Sequence, residues 1–249
     1  MSGPCILRPV VDLLRHPEGP RERQVLLGAR VEVLETLGDW ARIRAEKDGY
    51  EGWLRADTLG AEEEPTHWVS APATHAYARA DLKSPDLMAL SFGSRVRVRA
   101  VSGHFAETAQ GHIPVQHLAP MGQFLTDPVA VAELFLGTPY LWGGDSRWGI
   151  DCSGLVQAVL LACGHPCPGD SGPQSRAVGT LLAPGTQPQR GDLLFWSGHV
   201  ALVADADRIL HANANDMAVA YEPTAAAIAR IIAQGEGPVT AHRRPAIPA

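Results

Sequence analysis

Residues 137–155 read Gly-Thr-Pro-Tyr-Leu-Trp-Gly-Gly-Asp-Ser-Arg-Trp-Gly-Ile-Asp-Cys-Ser-Gly-Leu, and they contain the strongest structural signals in the second half of the chain. A glycine-rich loop ends at Asp151, and an apolar run begins at Leu155. The pattern therefore places Cys152 at or just before the first turn of a buried helix. Unpaired backbone N–H groups and the positive end of the helix dipole stabilise a thiolate there. We accordingly predict a lowered pKa for Cys152 and a nucleophilic thiol.

Two histidines follow in a pattern that is typical of neighbouring strands. Residues 191–196 and 199–204 are apolar runs joined by the turn signal Ser197-Gly198, and residues 208–212 form a third such run. His199 opens one strand and His211 lies near the end of its neighbour, so the two side chains can meet. A thiol nucleophile needs a base beside it and a third group that orients the base. We predict His199 as the base and His211 as the orienting residue, although either could be an ordinary core or surface histidine.

Four stretches in this order resemble the NlpC-type family of papain-like cell-wall cysteine peptidases, and the resemblance extends over about residues 125–245. They are residues 139–144, 151–155, 190–203 and 209–212. The resemblance implies an α+β papain-like domain that cleaves amide bonds in peptidoglycan stem peptides, commonly between D-glutamate and a diamino acid. It also implies that Cys152 attacks the carbonyl, that His199 serves as general base and then acid, and that His211 orients His199.

The same resemblance suggests further groups around the nucleophile. The backbone N–H of Cys152 and the hydroxyl of Tyr140 would hold the oxyanion, although Tyr140 could instead be a packed loop aromatic. Asp151 and Ser153 would help to bind the substrate, and Asp151 could also be a helix N-cap.

A later segment, residues 166–174, resembles the part of the family that lies between the nucleophile helix and the next helix. Asp170 and Ser171 would then line the acyl side of the cleft. They could equally cap a helix that runs to Leu182.

The first half of the chain is predicted to consist of short strands. Residues 25–36, 40–44 and 50–54 alternate at least in part, and Asp48-Gly49 is a strong hairpin signal. A weaker second copy of this order occupies residues 66–118. Each copy resembles a small all-β bacterial SH3-like barrel. We therefore predict three domains: barrel 1 over 1–62, barrel 2 over 66–121, and an NlpC-type domain over 123–249.

Two SH3-like barrels ahead of such a domain resemble one subgroup, the murein-peptide γ-D-glutamyl-L-diamino acid peptidases. The resemblance implies that the first barrel blocks one end of the cleft, so that only short peptides with a free N-terminal L-Ala fit. Tyr50 is our candidate for an aromatic hydroxyl that assists, with Glu51 or Glu22 as the carboxylate. Recycling of cell-wall peptides is the role that follows.

Composition limits the partners. The net charge of −6, from 21 Lys and Arg against 27 Asp and Glu, gives no electrostatic case for nucleic acid. No stretch reaches the roughly 18 apolar residues of a membrane span, and the start lacks a secretory signal pattern, so we expect a cytoplasmic protein without membrane contact. Cys163 and Cys167 lack the second ligand pair of a closed zinc site. We expect no metal, no cofactor, and a monomer or weak oligomer.

Three other functions share these features. The chain could act on intact peptidoglycan, it could be a thiol acyltransferase on the same scaffold, or it could be a non-catalytic peptide-binding protein.

Overall fold

The computed structural model describes residues 3–61 and 64–246, and the chain divides into two compact units. Unit 1 comprises Met1–Gln123 together with Asp145–Trp148, and unit 2 comprises Phe124–Gly144 and Gly149–Ala249. Glu62 and Glu63, at the predicted junction of the two barrels, lie outside the described residues. The division of unit 1 into two domains with the predicted bounds therefore stays a prediction.

Unit 1 is built of short strands, as the alternating sequence predicts. They are β1 (Pro4–Ile6), β2 (Val10–Leu14), β3 (Arg21–Leu26), β4 (Val31–Leu37), β5 (Trp40–Ala45), β6 (Glu51–Arg55), β7 (Leu59–Ala61), β8 (His67–Val69), β9 (Ala73–Tyr77), β10 (Asp86–Ser91), β11 (Arg95–Val96), β12 (Ala100–Ser102), β13 (Phe105–Thr108), β14 (Gly111–Pro114), β15 (Leu118–Pro120) and β16 (Asp145–Ser146). Short 3-10 turns at Ala56–Thr58 and Val115–His117 precede β7 and β15, so the same order of elements occurs twice.

Each copy has its own antiparallel five-stranded sheet and its own apolar cluster. The first sheet has the strand order β3-β2-β6-β5-β4, and its cluster includes Ile6, Leu13, Ile43 and Leu54. The second has the order β10-β9-β14-β13-β12, beside the three-stranded sheet β11-β8-β15. Its cluster includes Leu27, which the first copy supplies. Burial of these apolar side chains is what stabilises such small sheets.

Glycines interrupt two runs of strand-like composition, one in each copy. Gly28, with φ of +74°, separates β3 from β4 inside residues 25–36, and Gly93, with φ of +85°, separates β10 from β11. A side chain at Gly28 would place its Cβ 2.2 Å from the carbonyl oxygen of Arg95. Only glycine accommodates both this φ and this close approach.

Unit 2 combines four helices of the described chain with one main sheet. The elements are α1 (Pro128–Glu133), β17 (Gly149–Ile150), α2 (Cys152–Ala162), α3 (Ser171–Ala177), β18 (Thr180–Leu181), β19 (Leu193–Trp196), β20 (His199–Val203), β21 (Arg208–Asn213), β22 (Ala218–Pro223), α4 (Thr224–Ala233) and β23 (Ala241–Arg244). The sheet has the antiparallel order β18-β23-β19-β20-β21-β22.

The helix predicted to run from Ser171 to Leu182 is shorter, because α3 ends at Ala177. Gly179 then takes φ of +57°, and β18 pairs with β23 instead of continuing the helix. The other elements around the predicted site agree with the sequence: α2 begins at Cys152, and β19 and β20 form a hairpin in which Trp196 faces His199. In the described residues, no helix is long and apolar enough to cross a membrane.

Candidate active site

Cys152 is the first residue of α2 and is 7% exposed. The following positions of α2 are buried, including Leu155, Val159 and Leu160, and they pack the helix against α1 and the main sheet. This burial explains why the apolar run after the glycine loop packs here as a helix.

The side chain of Asp151 organises the loop and the helix start around Cys152. Its Oδ1 accepts hydrogen bonds from the Ser153 hydroxyl at 2.9 Å and from the Gly154 N–H at 2.6 Å. Its Oδ2 accepts one from the Gly143 N–H at 2.9 Å. Asp151 is therefore an N-cap, one of the two roles that the sequence leaves open.

The pKa of the Cys152 thiol is raised to about 12, mainly because the side chain is buried and also because the Asp151 carboxylate is near. Backbone N–H groups of Val200, Ser153 and Cys152 itself act in the opposite direction but are outweighed. The predicted lowering of this pKa is therefore wrong for the resting structure. The sequence indicates that Cys152 lies at a helix start, which lowers a thiol pKa. It does not indicate that the thiol is shielded from solvent, which raises that pKa. The contribution of Val200, which follows His199, also shows that the thiol lies beside the start of β20.

The two predicted histidines meet. His199 Nε2 and His211 Nδ1 are 2.9 Å apart, and the ring centroids are separated by 5.1 Å. Burial lowers the pKa of His199 to about 3, with His211 and Arg230 acting in the same direction. Burial also lowers the pKa of His211 to about 4, although the Glu222 carboxylate opposes it. Both imidazoles are therefore neutral around pH 7, and a neutral imidazole can accept a proton from a thiol.

A carboxylate and a guanidinium that the sequence analysis does not identify continue this line of side chains. His211 Nε2 and Glu222 Oε2 are 3.1 Å apart. Arg230 donates to both oxygens of Glu222, from Nε to Oε1 at 2.9 Å and from Nη2 to Oε2 at 2.7 Å. The hydrogen bonds from Arg230 lower the pKa of Glu222, which is therefore ionised.

Tyr140 lies within electrostatic reach of the thiol. Its pKa is raised above the ordinary value, first by burial and then by the charged forms of Cys152 and Asp151. Its backbone is held by a bridge to Ile150 and by a hydrogen bond from its N–H to the Met217 carbonyl. The structure thus brings Tyr140, Asp151 and Cys152 together, while the part of Tyr140 in binding an oxyanion stays a prediction.

The remaining predicted residues of unit 2 lie in α2 and at the start of α3. Ser153 is buried and its hydroxyl is turned to Asp151. Asp170 is the exposed N-cap residue of α3 and makes no capping hydrogen bond with its side chain, and Ser171 begins that helix. The fully buried Gln174, which the sequence analysis does not single out, joins α3 to α2 by donating to the Ser153 carbonyl at 2.9 Å. Contact of Asp170 and Ser171 with a substrate stays a prediction.

The predicted residues of the first barrel lie in unit 1. Tyr50 is half-buried, and the guanidinium of Arg23 lies 5.6 Å from its ring centroid. Glu51 accepts hydrogen bonds from Arg42 and Arg44 on β5, and Glu22 is paired with Arg15. The assistance of Tyr50, Glu51 or Glu22 at the cleft stays a prediction.

Among the described residues, no group of three or more His, Cys, Asp or Glu side chains is arranged to hold a metal ion. None of the four cysteines forms a disulfide, and all four are buried. Cys163 is the buried C-cap residue that follows α2.

Two known families each match part of one unit. Residues 137–230 match the NlpC/P60 family, and residues 13–59 match the bacterial dipeptidyl-peptidase SH3 domain. The first match contains the candidate nucleophile and both histidines, and the second contains most of the first five-stranded sheet.

Two curated relatives align with most of this chain. The chain is 29% identical over 217 residues to the γ-D-glutamyl-L-lysine dipeptidyl-peptidase of Bacillus subtilis (strain 168), which covers 76% of this chain and 71% of the relative. It is 28% identical over 243 residues to the enzyme of the same name from Bacillus cereus, which covers 81% of this chain and 70% of the relative.

A solved structure shows the same fold. The crystal structure of an NlpC/P60 family protein from Bacillus cereus covers 99% of this chain and 100% of its own, with a TM-score of 0.83 at 22% identity. The predicted α+β class, with an SH3-like domain ahead of a papain-like domain, is confirmed. The chain thus joins a bacterial dipeptidyl-peptidase SH3 domain to an NlpC/P60 domain, and it is a cysteine peptidase.

Proposed function

We propose that this peptidase hydrolyses the γ-D-glutamyl bond to an L-diamino acid in murein peptides that carry a free N-terminal L-Ala, and that it serves cell-wall peptide recycling. The observation that carries the proposal is the line Cys152, His199, His211 on a helix start and two neighbouring strands, in a chain whose relatives are named γ-D-glutamyl-L-lysine dipeptidyl-peptidases. A dipeptidyl-peptidase releases two residues from an amino end, so L-Ala-D-Glu is the expected product.

The chemistry begins with the thiol. Cys152 transfers its proton to His199 as the sulfur attacks the scissile carbonyl, because the resting thiol and the resting imidazole are both neutral. The carbonyl oxygen becomes an oxyanion, which the N–H groups at the start of α2 and the Tyr140 hydroxyl stabilise. His199 then protonates the leaving amine of the diamino acid, and an acyl-enzyme remains.

Water completes the cycle. His199, neutral again, takes a proton from a water molecule that attacks the thioester, and the release of L-Ala-D-Glu regenerates the thiol. Asp151, Ser153, Asp170 and Ser171, with Tyr50 from the first barrel, are the groups proposed to hold the peptide. A carboxylate among them would select a free ammonium group at the amino end.

Mass spectrometry of products tests the proposal. The purified chain is incubated with L-Ala-γ-D-Glu-L-Lys, with the corresponding meso-diaminopimelate peptide, with their N-acetylated forms, and with intact peptidoglycan. We expect release of L-Ala-D-Glu from the unblocked peptides alone. Digestion of intact peptidoglycan would favour a wall endopeptidase, and acyl transfer to an added amine without hydrolysis would favour an acyltransferase. No reaction with any substrate would favour a binding protein.

A matched pair of cysteine variants tests the nucleophile. Cys152 and Cys163 are buried at opposite ends of α2. We expect Cys152→Ala to abolish hydrolysis and to retain the fold, and Cys163→Ala to retain both. Turnover by Cys152→Ala close to the wild-type rate would contradict the mechanism. The cytoplasmic location and the monomeric or weakly oligomeric state stay predictions, which cell fractionation and sedimentation can test.

A further inference from the structure

We infer that Glu222 is a positioning residue of the active site, which fixes the protons on both histidines so that Nδ1 of His199 is the basic atom. The inference rests on the proposed function in taking His199 as the base. It concerns a carboxylate that touches neither the thiol nor His199 and acts through His211 alone.

Glu222 and Arg230 form the charged end of the line of side chains that includes His199 and His211. Glu222 is ionised, and an ionised carboxylate can only accept hydrogen bonds. The nitrogen of His211 that lies 3.1 Å from Glu222 Oε2 must therefore carry a proton. Since His211 is neutral, its other nitrogen, Nδ1, carries none.

The protonation of His211 determines that of His199. His211 Nδ1 has only a lone pair to offer, so the Nε2 of His199, 2.9 Å away, must be the donor in the bond between the rings. His199 is neutral as well, which leaves its proton on Nε2 and makes Nδ1 the unprotonated nitrogen. One carboxylate thus selects the tautomer of two imidazoles, and a thiol proton can be accepted only at Nδ1.

The register between β21 and β22 brings Glu222 within reach of His211. In the pairing of β21 with β22, His211 faces Ala220, and Ile209 faces Glu222. Ala220 and Glu222 lie two residues apart and therefore on the same face of the strand, so Glu222 is a diagonal neighbour of His211 within reach of a long side chain. Arg230 on α4 then holds both carboxylate oxygens, which limits rotation of the carboxylate.

Arg230 also shows why a carboxylate is required. The guanidinium can only donate. If the carboxylate were removed while Arg230 remained, the donor nearest to His211 Nε2 would favour a lone pair on that nitrogen. The protons would then move to Nδ1 of both rings, and His199 would present an N–H to the thiol in place of a base.

The experiment compares three variants with the wild type. Glu222→Gln keeps an oxygen that can accept from both His211 and Arg230, Glu222→Met removes the acceptor, and Glu222→Met with Arg230→Met removes the whole ion pair and replaces it by apolar side chains. Asp192→Asn is the matched control, because Asp192 is a buried carboxylate of unit 2 that likewise binds an arginine through both oxygens and a histidine through one.

The first readout is the tautomer itself, from two-bond ¹H–¹⁵N correlation spectra of ¹⁵N-histidine-labelled protein, with His199 and His211 assigned by single substitutions. We expect protons on Nε2 of both rings in the wild type, in Glu222→Gln and in Asp192→Asn, and a changed pattern in the single and double variants that carry Glu222→Met. A wild-type His211 protonated on Nδ1 would overturn the inference. This measurement needs no substrate, so it separates failure of the inference from failure of the proposed function.

The second readout is turnover against stability. We expect kcat to fall by about 10- to 100-fold in Glu222→Met, since a general base contributes about 10²- to 10⁴-fold and only part of the molecules then present it correctly. The double variant should regain stability but not kcat, and Glu222→Gln should stay within about tenfold of wild type. Recovery of kcat in step with stability in the double variant would show a merely structural role. If no peptide is cleaved, the rate of Cys152 alkylation by iodoacetamide replaces kcat.

The acid limb of the pH profile adds a third readout. The charged and titratable groups that affect His211 are Glu222, Arg230 and Asp216, and those that affect His199 are His211 and Arg230. Because Glu222 raises the pKa of His211 and Arg230 lowers the pKa of both histidines, Arg230→Met should move the acid limb to higher pH. Movement to lower pH in that variant would contradict this account of the ion pair.

Discussion

At the scale of single residues, the chain balances two demands on Asp151. The carboxylate satisfies the Gly143 and Gly154 N–H groups and the Ser153 hydroxyl, so it orders the loop and the helix start. The same charge helps to raise the pKa of Cys152. Asp151 therefore orders the backbone around the nucleophile, and its charge at the same time makes the thiolate of Cys152 harder to form.

Replacing Asp151 by Asn should separate these effects. Asn has one acceptor oxygen, and its NH₂ would face either the Gly143 N–H or the Gly154 N–H, so we expect a loss of about 1–3 kcal/mol in the free energy of unfolding. Removal of the charge should lower the pKa of Cys152 and move the pH dependence of its alkylation to lower pH. Urea unfolding and the alkylation rate by peptide mass spectrometry measure the two effects.

The control for this variant is Asp127→Asn, the N-cap of α1, whose carboxylate accepts from Val129 and Ala130. It should lose stability without any change in Cys152 alkylation. An unchanged alkylation profile in Asp151→Asn would contradict the electrostatic part of the account.

The sequence predicts those parts of the site that depend on local patterns, and it does not predict those that depend on contacts between distant elements. The loop, the apolar run and the hairpin turn indicate the positions of Cys152, His199 and His211, because turns and strand alternation are local properties. Glu222 and Arg230 escape such reasoning because their roles depend on the register of β21 with β22 and on the docking of α4. Alternation along residues 218–223 is the signal that could have placed Glu222 on the face of His211. The direction of the thiol pKa could not be predicted, because burial is a property of the folded chain.

At the scale of elements, β23 is joined to β19 by charges as well as by its backbone. Asp192, directly before β19, accepts from Arg244 Nε at 2.7 Å and Nη2 at 2.8 Å, and lies 2.7 Å from His242 Nε2. Burial acts to raise the pKa of Asp192, but Arg244, the Gln189 N–H and His242 outweigh it, and the net shift is downward. The family resemblance includes Asp192 without indicating this partner strand, because residues 241–244 carry no strong strand pattern.

The lowered pKa of Asp192 predicts a stability that depends on pH. A depressed carboxylate pKa contributes stability above the unfolded value of about 3.9, and this contribution is lost as pH falls through the folded value. We expect Asp192→Asn to be less stable than wild type by about 2 kcal/mol at pH 6. The difference should shrink below about pH 4. Urea midpoints across pH 3–7 measure it, and a constant difference over this range would refute the linkage.

Prediction at this scale succeeds for strands and fails for their interruptions. The runs around Val25 and Leu90 have strand composition, yet Gly28 and Gly93 divide them, because backbone with positive φ leaves the extended region. The composition of a run indicates that its residues favour a strand. It does not indicate where the chain must turn so that the two apolar clusters can pack.

At the scale of the whole molecule, a buried ion pair closes the longest loop described for unit 1. Arg23 Nη2 and Asp145 Oδ1 are 2.6 Å apart across 122 residues of sequence, and the two side chains are 1% and 5% exposed. Lys47 Nζ lies 3.4 Å from the other oxygen, and Gln24 accepts from the Asp145 N–H. No local sequence pattern around Arg23 or Asp145 predicts this pair, since the two residues are far apart in the sequence.

Breaking this pair should be costly. We expect Arg23→Met to lower the free energy of unfolding by about 3 kcal/mol, because it leaves the Asp145 carboxylate buried without the guanidinium. Adding Asp145→Leu should recover part of the loss. Hydrogen–deuterium exchange resolved by peptide should locate the loosening in unit 1.

The exposed pair Arg55–Asp39 supplies the control, in which Asp39→Asn should cost about 0.5 kcal/mol or less. Equal costs for Arg23→Met and Asp39→Asn would contradict the prediction.

The grouping of Asp145–Trp148 with unit 1 has a consequence for biosynthesis. The ribosome delivers Arg23 early, but the buried ion pair cannot form until residue 145 has emerged, after the first helix of the peptidase domain has been made. Final maturation of the amino-terminal half therefore waits for translation of the second. For the same reason, a gene segment that ends at residue 123 encodes Arg23 without Asp145, the carboxylate with which it pairs.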